Sequence, residues 1–134
     1  MDKSDGSFKY LDYLQSSIDR LAGYGFIIKG WSVTIACAFL GLYIKEGDWR
    51  YALVAFGPIT IFWLLDCYFL ALERALRVLF TEATGRLVRG DPPTYNMTPA
   101  PPDLTALAQC SVRPVILLVH GSLALAVLAV CLLR

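Results

Sequence analysis

The sequence predicts an all-α membrane protein: three transmembrane helices, an amphipathic helix ahead of the first, and a cytoplasmic extension of the second. Three observations predict it. Hydrophobic residues make up 57% of the 134, and the mean hydropathy is +0.56, whereas a soluble domain is roughly 45–50% apolar. The excess lies in three blocks, each long enough to cross ~30 Å of hydrocarbon as a helix. Lys and Arg gather in segments that three spans would place on one side of a bilayer. At this length one domain is the ceiling, and three spans with their connections leave no room for a separate soluble core.

Residues 1–23 form the first segment. MDKSDGSFKYLDYLQ has no apolar run after a basic start, so no cleaved signal peptide is expected. Phe8, Leu11, Leu14, Ile18 and Leu21 recur at spacings of 3, 3, 4 and 3, which is one face of a helix over 7–22. Asp5 or Ser7 is placed to cap its start, and Tyr10, Tyr13 and Tyr24 suit an interfacial position. This helix is expected on the membrane surface or against neighbouring helices. A transmembrane hairpin follows over 24–72, with spans at 24–44 and 51–72. Lys29 lies just inside the first span. KEGDWR makes a polar turn, and Trp49 and Tyr51 are placed as interface anchors.

Gly57-Pro58 predicts a kink in the second span, and Asp66 interrupts its apolar run. The helical pattern continues beyond the span through ERALRVLFTEATGRLV, and Gly85 or Gly90 can end it. Five prolines in GDPPTYNMTPAPP forbid helix or strand over 90–102 and leave an extended linker. Asp103 can cap a short helix in LTALAQCSV. Residues 73–111 are therefore read as helix extension, linker and short helix. Arg113-Pro114 opens the third span, 112–134, which closes at Arg134.

Charge sets the orientation. The N-terminal segment holds Lys3, Lys9, Arg20 and Lys29, and the segment between spans two and three holds Arg74, Arg77, Arg86, Arg89 and Arg113. The hairpin turn and C-terminus hold only Lys45, Arg50 and Arg134. The positive-inside bias then predicts a cytoplasmic N-terminus and a C-terminus outside.

No catalytic chemistry is legible. There is no G-x-S-x-G, H-E-x-x-H or P-loop, and no paired carboxylates in a polar segment, so the chain is not expected to be an enzyme. One histidine and four cysteines without a C-x-x-C spacing give no reason to expect a metal or another cofactor. Other residues do point to sites. Lys29 and Asp66 fall at similar depth on antiparallel spans, where unpaired charge is costly; together they are an ion pair that fixes the hairpin register, or a charged ring at the inner mouth of a pore. Gly30, Thr34, Cys37 or Ala38, and Gly41 form a small-residue stripe along span one, suited to close helix packing or to lining a pore. His120 in span three is read as bonding across a helix interface. Arg20, Arg74, Arg77, Arg86 and Arg89 are expected to meet anionic lipid or to bind an anionic ligand through their planar forks. Tyr10, Tyr13 and Tyr95 offer stacking faces if that ligand is a nucleotide or a single strand.

YLDYLQSSIDRLAGYGFIIKGWSVTIACAFL followed by FWLLDCYFLALERALRVLF resembles a widespread group of small multi-pass bacterial membrane proteins of anti-phage defence operons. The positions that carry the likeness are the L-x-x-L-Q-x-x-I-x-R run ending at Arg20, the Lys29-Gly30-Trp31 triplet, and Asp66 followed by Glu73-Arg74. They cover roughly residues 8–80. The nearest functional parallel is the membrane effector of the Hailong system. The resemblance implies an oligomeric ion channel of the bacterial inner membrane, gated by a short DNA oligomer that a partner nucleotidyltransferase makes. Three short spans cannot enclose a hydrated pore alone, so conduction requires a homo-oligomer of closed symmetry, with a tetramer as the expected assembly. The contrasting expectations are a non-conducting scaffold subunit and a holin-like lesion former.

Overall fold

A computed structural model describes residues 3–92 and 94–132. Arg134, placed at the close of the third span, lies outside the described residues. The described chain is helical: α1 Lys3–Glu46, α2 Trp49–Arg89, α3 Leu104–Ser111 and α4 Pro114–Leu132. Three of these helices, α1, α2 and α4, are long and apolar enough to cross a membrane, which makes the chain an all-α membrane protein.

α1 has 44 residues and α2 has 41. At 1.5 Å per residue each reaches about 60 Å or more, roughly twice the hydrocarbon thickness. The two form one long antiparallel hairpin, of which about half projects past a bilayer. Gly47 turns it at φ 72, a left-handed conformation that glycine adopts without strain. Asp48 then caps α2 by accepting from the Arg50 N–H at 2.9 Å.

Sequence spacing separates an amphipathic helix over 7–22 from span one. The structure joins them, and α1 runs without interruption through Gly23-Tyr24-Gly25. The helix also begins before Asp5 and Ser7, so neither is its cap; Asp5 pairs instead with Lys9 at 3.6 Å, one turn on. The reason for the continuity is a single buried stripe. Ser7, Tyr10, Leu14, Ile18, Ile28, Ser32, Ala36 and Tyr43 are all buried, and α2 covers them along most of their length. Gly25 faces the same contact: a Cβ there would lie in ordinary van der Waals contact with Asp66 Oδ1 at 3.4 Å and Lys29 Nζ at 3.7 Å.

Three apolar clusters follow one another along the hairpin. Ala36, Tyr43, Ala52, Ala55, Ile59 and Val127 pack near the Gly47 turn. Cys67, Ala71, Cys110 and Ile116 join α2, α3 and α4 midway. Tyr10, Leu14, Ile18 and Leu76 close the end that carries the arginines. α2 passes through Pro58 and Gly85 and stops at Gly90, whose φ of 75 makes it a left-handed cap satisfying the carbonyls of Arg86 and Leu87. Of the two glycines that could end the helix, only Gly90 takes that conformation. The linker after it folds back on α1: Tyr10 donates to the Asn96 carbonyl and meets the Tyr95 ring edge-on at 5.7 Å. Asp103 caps α3 by accepting from the Ala106 N–H at 2.7 Å.

Candidate functional site

The spans converge on one buried polar cluster. Lys29 enters from α1 and donates to Asp66 Oδ1 of α2 at 2.7 Å and to its own Gly25 carbonyl at 3.3 Å. Asp66 is 2% exposed. An isolated carboxylate there would cost several kcal/mol in desolvation, which a close, hydrogen-bonded cation offsets. His120 arrives from α4, 4% exposed, with Nδ1 3.3 Å from the Ile116 carbonyl and 3.9 Å from Asp66 Oδ2. The first contact is a helix-internal hydrogen bond; the second is beyond hydrogen-bond range. With the Nδ1 proton donated to Ile116, Nε2 is an acceptor. Asp66 Oδ2, His120 Nε2 and Ser32 Oγ are buried without a hydrogen-bond partner among the described residues. Two of these atoms, Asp66 Oδ2 and His120 Nε2, can accept, and the Ser32 hydroxyl can also donate.

The sequence pairs Lys29 with Asp66 and reads His120 as bonding across a helix interface, whereas the structure gives His120 a hydrogen bond to Ile116 of its own helix and only proximity to Asp66. The missed signal is depth. His120 lies seven residues into α4 from Arg113, and Asp66 lies seven residues back along α2 from Glu73. Both stretches amount to about 10 Å of helix, so the two side chains share a level. Arg113 was read only as a boundary residue; it lines the mouth of a cavity that leads to Asp66.

That cavity, of about 340 Å³, opens among α1, α2 and the first turn of α4. Lys29 and Asp66 lie at its deep end. Glu73, Arg74 and Arg113 are charged residues nearer its mouth, and Leu21, Phe69, Leu70, Val115 and Ile116 supply apolar walls.

The arginines read as one cluster do not form one site within the chain. Arg77 clamps Glu73 Oε1 with Nε at 3.0 Å and Nη2 at 2.6 Å. Arg86 reaches Glu82 at 3.3 Å, and Arg89 reaches Asp91 at 2.9 Å. Arg20, exposed on α1, contacts the Ser17 hydroxyl at 3.5 Å. Arg74 alone of the set borders both the interhelical cavity and a second hollow beside α3, and it has no ion-pair partner among the described residues. Arg77 and Arg89 border a shallow groove on the outer face of α2 with Thr81 and Gly85. Of the three tyrosines, Tyr10 is buried against Tyr95 and offers no face to a base, while Tyr13 and Tyr95 are exposed.

The small-residue stripe also has a definite place. Gly30, Thr34, Cys37, Ala38 and Gly41 are all exposed in the protomer, and a Cβ added at Gly30 or Gly41 meets nothing within 4 Å. The small residues that pack the hairpin are Gly25, Ser32 and Ala36 on the opposite side of α1. Intrachain packing is therefore not what the stripe serves, and Thr34 satisfies its hydroxyl on its own Gly30 carbonyl at 2.9 Å.

No family model matches the chain, and neither curated proteins nor solved structures give a match.

Proposed function

We propose that this protein is the subunit of a homo-oligomeric ion channel in the bacterial inner membrane, an effector of anti-phage defence that depolarises the cell. One observation carries the reading: the glycine, threonine, cysteine and alanine face of α1 is turned away from its own hairpin and left open. Such a face lets backbones approach closely between copies, and Thr34 and Cys37 tolerate water at an oligomer axis. The extent of uncovered span agrees with this. In the most apolar stretches of α1, α2 and α4 only 22%, 22% and 17% is buried, so a protomer leaves much surface for lipid and for other copies.

In this reading the arginine-rich end of the hairpin lies in the cytoplasm. An anionic ligand, a nucleotide or a short DNA oligomer supplied by a partner nucleotidyltransferase, engages Arg20, Arg74, Arg77, Arg86 and Arg89 there. Three of these already hold carboxylates of their own chain, so the ligand must displace those weak surface pairs. It shifts a closed–open equilibrium only through unequal affinity for the two states.

The test is ion flux from liposomes holding the purified protein, with and without a short single-stranded oligodeoxynucleotide. The channel reading predicts flux that the oligomer changes. Absence of flux in both conditions contradicts conduction and leaves a scaffold subunit. Flux of large solutes as readily as of ions points to a holin-like lesion.

A further inference from the structure

The cavity among α1, α2 and α4 is distinct from the open face of α1 and from the outer groove of α2. Its charges divide in an informative way. Each carboxylate on its wall has its own cation: Asp66 holds Lys29 at 2.7 Å, and Glu73 holds Arg77 at 2.6 Å. Arg74 and Arg113 line the same wall and have no ion-pair partner among the described residues. The cavity mouth therefore presents two uncompensated guanidiniums. Arg74 is half-buried, so its charge is less screened than that of a surface arginine. The first turn of α4 forms part of the lining through Pro114, Val115 and Ile116. The residue ahead of it, Arg113, has no acceptor to cap that turn, so the positive end of the helix adds to the field.

Beside these arginines the walls are Leu21, Phe69, Leu70 and Ile116. Two uncompensated guanidiniums beside apolar walls, where α4 begins, match the charge and polarity of a phospholipid, while the Lys29–Asp66 pair at the deep end is already neutralised. We propose that this cavity binds the phosphate headgroup of an anionic phospholipid, seated on Arg74 and Arg113 with the start of its acyl chain against Phe69 and Leu70. A nucleic-acid phosphate fits it less well, because a polar strand would leave the apolar walls wet. The assignment moves Arg74 from the soluble ligand to lipid, and it does not depend on conduction.

The test is native mass spectrometry of the full chain released from detergent containing phosphatidylglycerol and phosphatidylcholine in equal amounts. Inorganic phosphate and a short oligodeoxynucleotide serve as competitors in separate arms. Retention of phosphatidylglycerol over phosphatidylcholine is expected. It should fall about fivefold for each of Arg74→Gln and Arg113→Gln, and stay unchanged in Arg89→Gln, whose partner Asp91 lies outside the cavity. Arg74→Lys should keep most of the binding. Ala22→Trp, which fills the cavity without removing charge, should abolish the preference, and circular dichroism checks that each variant keeps its helices. Equal retention of both lipids by the native protein overturns the proposal. So does an unchanged preference in the folded Arg74→Gln, Arg113→Gln double variant. Loss of bound lipid to millimolar phosphate alone would assign the site to a free anion, and loss to the oligodeoxynucleotide alone would assign it to nucleic acid; either result overturns the lipid assignment.

Discussion

At Asp66 a carboxylate sits 2% exposed among apolar helices and is held by one close cation, Lys29. Removing either partner strands the other, and breaking a buried pair from one side costs about 3–5 kcal/mol. Asp66→Ala should therefore lower stability by about that much in urea unfolding of the micellar protein, and Lys29→Met combined with Asp66→Leu should recover most of it. A single variant within about 1 kcal/mol of the native protein would show that the pair is not anchoring the hairpin. The pairing was legible in the sequence because both charges interrupt apolar runs at matching depth on antiparallel spans. For His120 only the depth was legible and not the contact with Asp66, because that depends on how α4 leans on the hairpin. Nothing in the local pattern VILLVHGSL specifies that angle.

Helices show a different division between the legible and the hidden. The extension of α2 past the span, the proline-rich linker and the Asp103 cap each follow from local residue chemistry. The continuity of α1 does not. Tyr24 flanked by Gly23 and Gly25 reads as a boundary, yet tertiary contact with α2 overrides the low helix propensity of glycine. Packing of Tyr10, Leu14 and Ile18 on Leu76 then holds the N-terminal turns against α2. The linker is tied to the same place through Tyr10. Tyr10→Phe removes the bond to the Asn96 carbonyl, which is worth about 1 kcal/mol, and Gly6→Leu drives a side chain into Tyr95, whose hydroxyl lies 2.8 Å from a Cβ at that position. Both should speed limited proteolysis within 94–102 while leaving helix content intact; unchanged cleavage would mean the linker is not held there. The tie also depends on pH. Burial first, and the Glu82 charge second, raise the Tyr10 pKa above its usual 10.0. A raised folded-state pKa means the contribution is complete below pH 10 and is lost as pH rises through the folded value, so protection of the linker should fade only in strong alkali.

For the whole molecule, the count of helices that can cross a membrane was legible because each is a long uninterrupted apolar block. The use of each face was not. A stripe of small residues says that something approaches closely, but only the fold shows that the hairpin partner lies on the other side of α1. The central claim is that other copies of the chain meet that open face. Cys37 lies on it and is exposed, whereas Cys67 and Cys110 are buried. The direct measurement is oxidative cross-linking in native membranes with copper phenanthroline, using a Cys131→Ser background. The account predicts a disulfide-linked dimer that disappears in Cys37→Ala and reappears when cysteine is placed at Thr34 or Gly41. Monomer alone under all of these conditions would contradict it.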